Sequence, residues 1–148
     1  MPADHVEGGA AVPLPFCFSD THDGPQADAP GGKPEVIILA SGSSLYLCVD
    51  AYEKLKAEGV KARVVSMPSW EIFEQQDAAY KESVLPAGVT ARVSVEMAST
   101  LGWDRYVGPK GRKIGMHRFG ASAPLKDLLK FFGFTVDNIM AEARAAMS

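Results

Sequence analysis

From Glu35 onward the chain alternates between two hydrophobic periods. Val36 to Ala40 is an unbroken apolar run, followed by Ser41-Gly42-Ser43-Ser44. Such a run predicts a strand buried on both faces, and the serine-glycine segment predicts a turn whose serine caps the next helix. Leu45, Cys48, Val49, Tyr52 and Leu55 then recur at helical spacing, with Gly59 as the stop. Val60 to Met67 predicts a second strand, closed by Pro68. Strand, helix and strand in this order predict a βαβ unit with parallel strands.

The second half repeats the theme. Ser69 and Asp77 each open a short helix, with Trp70, Ile72 and Phe73, then Tyr80, Val84 and Leu85, as apolar positions. Pro86-Ala87-Gly88 breaks the second helix, and Thr90 to Met97 alternates Ala91, Val93 and Val95 as a third strand. One helical turn near Trp103 to Tyr106 and a short fourth strand at Lys113 to Met116 follow. Pro124 opens a helix with Leu125, Leu128, Leu129 and Phe132 on one face, ending at Gly133. Thr135 caps a last helix that carries Ile139, Met140, Ala143 and Met147. The alternation predicts an α/β fold: a three-layer α/β/α sandwich on a mostly parallel sheet.

Residues 1–33 read differently. Pro2, Pro13, Pro15, Pro25 and Pro30 fall there among many Gly, Ala and Asp residues, which is linker chemistry. Within this leader, Leu14 to Ser19 places Phe16 and Phe18 as on a half-buried strand, and its prolines confine that strand to a sheet edge. The division is therefore a leader over 1–33 and one domain over 34–148. A chain of 148 residues suits a single core.

Charge and cysteines narrow the partners. A formal charge of −3 gives no electrostatic reason to expect nucleic acid or an anionic membrane. No apolar run approaches the roughly 18 residues of a membrane helix, and the start lacks the order of a secretory signal, so a cytoplasmic location is expected. Cys17 and Cys48 are too few for a metal cage. Both are expected to be inert core thiols, without a disulfide.

Ligands of open α/β sheets bind beyond the carboxyl ends of the strands. Ser41, Gly42 and Ser43 could form a small anion cradle, but they lack both the dinucleotide glycine spacing and the P-loop lysine. Gly120, Ser122 and nearby Arg118 form a similar candidate before Pro124. At both loops helix capping is the expectation ahead of anion binding, and anion binding ahead of catalysis. His117 alone supplies no triad, and Gly-x-Ser-x-Pro is not a nucleophile elbow. Lys110, Arg112, Lys113 and Arg118 form a positive patch. Glu96 is read as a loop anchor or interface pair, and Trp70 and Trp103 as covers of the sheet edge or interface anchors.

Four strings occur in order: KPEVIILASGS, the run ending VKARVVSMPSWEIFEQQDAAYKESVLP, VTARVSVEMASTLGWDRYVG, and GMHRFGASAPLKDLLKFFGFTVDNI. Together, over about Lys33 to Met147, they resemble the carboxy-terminal domain of transketolases. That resemblance implies a five-stranded sheet with one antiparallel strand, formed around Phe16 to Asp20. It implies a domain of an enzyme that moves two-carbon ketol units between sugar phosphates, using thiamine diphosphate and Mg²⁺. Those cofactors belong to other domains. The family's Gly-Asp-Gly motif and downstream asparagine have no counterpart, since the nearest string is His22-Asp23-Gly24 and the only asparagine is Asn138. The expectation is therefore a chain with no catalytic, cofactor or metal residue of its own, which partners transketolase catalytic domains or forms a homodimer. A small-ligand regulatory module, and a fragment without independent activity, are the alternatives.

Overall fold

The computed structural model describes residues 17–18, 33–116 and 122–148. Its strands are β1 (Cys17–Phe18), β2 (Val36–Ala40), β3 (Ala62–Ser66), β4 (Arg92–Ser99) and β5 (Arg112–Met116). Its helices are α1 (Leu45–Ala57), α2 (Trp70–Glu74), α3 (Ala78–Val84), α4 (Asp104–Val107), α5 (Leu125–Phe131) and α6 (Val136–Met147). The strands form one sheet in the order β1-β3-β2-β4-β5. β1 runs antiparallel to β3, and every other pairing is parallel. The five-stranded α/β sandwich with one antiparallel edge strand is thus present. Of the expected Leu14 to Ser19 strand, only Cys17–Phe18 falls within the described residues.

The alternation of β2 divides the interior into two cores. Val36, Ile38 and Ala40 face a layer built from α1 and α6, with Cys48, Leu55, Ile139 and Ala143. Ile37 and Leu39 face the other way, onto Phe73, Val84, Trp103, Tyr106 and Val107 from α2, α3 and α4. All five β2 side chains are fully buried, which is why this strand is apolar without interruption.

Side-chain caps mark three of the six described α-helix starts. Ser69 accepts from Ile72 N, Asp77 from Tyr80 N and Thr135 from Asn138 N. The serine turn before α1 departs from expectation. It forms a 3₁₀ turn over Gly42–Ser44, and neither flanking serine caps it or α1 through its side chain. Ser44 is buried, and its hydroxyl faces the carbonyls of Ser41 and Val95, each at 2.8 Å. A single proton serves these two acceptors, so the side chain ties the turn to β4 in place of the helix amides.

β4 runs two residues past the expected Met97. Its pairing with β5 shifts between Val95 and Ser99, so β4 bulges by two residues opposite Gly115 before Ser99 pairs with Met116. Gly115 makes this possible, because a Cβ there would stand 2.4 Å from Thr100 Cγ2.

Two arginines hold the end of α3. Arg63 and Arg92 are both in register with Ile37, and so lie in one row on the same face of the sheet. Arg63 Nη1 donates to the carbonyls of Ser83 (2.8 Å) and Val84 (3.0 Å). Arg92 Nη2 donates to the next two, Leu85 (3.3 Å) and Pro86 (2.8 Å). The carbonyls of Ser83, Val84 and the cap residue Leu85, at the negative end of α3, and that of Pro86 in the turn beyond it are thereby bound by two cations.

Candidate functional site

The sheet's connections reverse direction between β2 and β4. β2 continues through α1 to β3 on one side, while β4 lies on the other. The crevice beyond the carboxyl ends of these two strands is the place where such folds bind ligands. Ser41, Gly42 and Ser43 stand on its β2 side, with Glu96 and Met97 on its β4 side.

These groups are engaged with one another. Ser41, half-buried, donates its hydroxyl to the Glu96 carboxylate. Ser43, exposed, points its hydroxyl at Met97 Sδ, 3.5 Å away. Ser44 adds its bond to Val95 O. Glu96 is therefore an anchor between the two strand ends within this chain. The Ser41 hydroxyl thus serves the strand-end turn, tying β2 to β4. An anion seeking Ser41 would have to displace Glu96 and remain beside it. Two like charges about 4 Å apart at an effective dielectric near 20 repel by about 4 kcal/mol, which opposes the anion cradle.

The second loop falls mostly outside the described residues, which include neither His117, Arg118 nor Gly120. Ser122 is exposed, and the cap position of α5 is Pro124, with no side-chain bond. The capping expected of Ser122 is thus not made, because the extended backbone before α5 ends at a residue without a polar side chain.

Two of the four cations of the positive patch are paired. Arg112 Nε meets Glu142 at 2.6 Å and Lys113 Nζ meets Asp104 at 2.7 Å, both as exposed pairs. The tryptophans divide. Trp103 is 1% exposed and belongs to the core, so it offers no interface in this chain. Trp70 is half-buried and packs edge-on to Trp103 at 5.0 Å and to Tyr106 at 5.4 Å. The β4–α4 loop brings these rings together, since Gly102 adopts φ +85° directly beneath Trp70.

Sequence reasoning missed two clusters. The first is the arginine pair, where Arg92 also donates from Nε to Val89 O (2.9 Å) and from Nη1 to Tyr106 O (2.6 Å). Its burial lowers its pKa. A lone arginine between apolar residues, as in Ala62-Arg63-Val64 and Ala91-Arg92-Val93, was the available signal. The second joins α2, α3 and α4: Glu74 accepts from Lys81 Nζ at 3.0 Å and from Tyr106 Oη at 2.9 Å. The Lys81 bond first, then the Tyr106 bond, hold the Glu74 carboxyl below its usual range. Burial, then the bond to Glu74, raises the Tyr106 phenol. Cys48, fully buried, is pushed up to about 12 by burial, as an inert core thiol requires.

No group of three or more His, Cys, Asp or Glu that could hold a metal ion occurs among the described residues. No helix among them is long and apolar enough to cross a membrane.

Comparison with known proteins agrees with this architecture. The chain is 59% identical over 113 residues to transketolase 1 of Escherichia coli K12, covering 76% of this chain and 17% of that protein. It is 56% identical, over the same length and shares, to a transketolase of a Nostoc species. The chain thus spans about 17% of the length of these curated relatives. Transketolase from Leishmania mexicana superposes with a TM-score of 0.75 at 38% identity, covering 90% of this chain and 18% of that one. A split-gene transketolase, described as an inactive beta4 tetramer, shares the fold at 24% identity with a TM-score of 0.62, over 78% of this chain and 40% of its own. The family model for the transketolase-like TK C-terminal domain matches residues 25–135, three quarters of the chain, and the chain belongs to that family.

Proposed function

We propose that the chain acts as the carboxy-terminal, non-catalytic domain of a cytoplasmic transketolase, docking onto catalytic domains or supporting their dimer. The reaction it serves is the transfer of a two-carbon ketol unit between sugar phosphates. The observation that carries this reading is the family match over 25–135, combined with relatives of which the matched segment is about 17%.

The chemistry of the described residues supports it. Thiamine diphosphate needs carboxylate and amide oxygens to hold Mg²⁺ against its diphosphate. The only asparagine, Asn138, sits at the start of α6 and donates its amide to Gly133 O at 2.8 Å. This donor set does not fit the cofactor, so the thiamine chemistry is assigned to the partner domains. The Ser41–Glu96 bond likewise favours a scaffold over a ligand-binding regulatory module, because the crevice groups satisfy each other.

Co-expression with the remainder of E. coli transketolase 1 tests the proposal. Ketol transfer restored by this chain, and absent when the chain is supplied alone with thiamine diphosphate and Mg²⁺, is the expected result. Ketol transfer by the chain alone would overturn it, as would failure to associate with the remainder.

A further inference from the structure

We draw no further inference here: the strongest candidate, the hollow of about 840 Å³ beside α5 walled by Leu47, Leu129, Phe131 and Phe134, carries nothing because nothing in the structure shows what covers it.

Discussion

Replacing Arg92 with methionine should release the end of α3 and the loop before β4. The guanidinium makes four hydrogen bonds, to the carbonyls of Leu85, Pro86, Val89 and Tyr106. Bonds from a charged donor contribute about 1.5–3 kcal/mol net each, so simple addition gives roughly 6–12 kcal/mol. That sum is too large. The cation loses hydration on folding, which costs several kcal/mol and is recovered when it is removed. A hollow of about 360 Å³ beside Arg92 and Val89 also lets water reach some of the abandoned carbonyls. The expected loss is about 3 kcal/mol, and for a chain of this size each kcal/mol lowers Tm by about 3 °C, so Tm should fall about 10 °C. Arg92→Lys should recover only part of this, because one ammonium cannot span four carbonyls arranged around a planar fork. Urea and thermal unfolding of the two variants measure the difference. A loss under about 1 kcal/mol for Arg92→Met, or full recovery by lysine, would refute the clamp.

Three further outcomes follow from the same structure. Cys48 should resist thiol reagents at pH 8 in a Cys17→Ser background and react on unfolding; labelling of the native chain at the unfolded rate would contradict its burial. Glu74 has a folded-state pKa below its unfolded one, so its stabilisation is present above the unfolded carboxylate value of about 4.3 and is lost as pH falls through the folded value. Glu74→Gln should therefore lower Tm at pH 7, with the gap to wild type closing in acid; a gap unchanged down to pH 3 would count against the bonds from Lys81 and Tyr106. Gly102→Ala forces a Cβ to 2.7 Å from the Trp70 ring at φ +85°, at a backbone cost of about 1–2 kcal/mol. Tryptophan fluorescence and Tm should both change, and an unaltered emission spectrum would mean that Trp70 does not rest on this loop.

The fold was legible because its elements follow from local periods. β2 is an unbroken apolar run, and Ser69, Asp77 and Thr135 cap the helices they precede. The misses come from side chains that bond across long sequence separations. Ser44 looked like a helix cap, but its hydroxyl is shared between Ser41 O and Val95 O, the latter on a strand 51 residues away. Ser122 looked like another, but the chain turns into α5 at Pro124. Trp103 follows a strand end, as Trp70 does, yet the turn at Gly102 carries it inward and leaves Trp70 above it. Arg63 and Arg92 appear as isolated charges until the register brings them into one row on either side of Ile37.

The same distinction separates the two readings of the strand-end crevice. A ligand there would gain what free hydroxyls and amides offer, and at this site the Ser41 hydroxyl is already given to Glu96. Binding a neutral ligand would exchange one charge-assisted bond for others, a balance near zero, and binding an anion would add repulsion of a few kcal/mol from the carboxylate. At this end of the sheet the Ser41 and Ser44 hydroxyls serve the fold. That favours the scaffold role proposed above over ligand binding at the crevice.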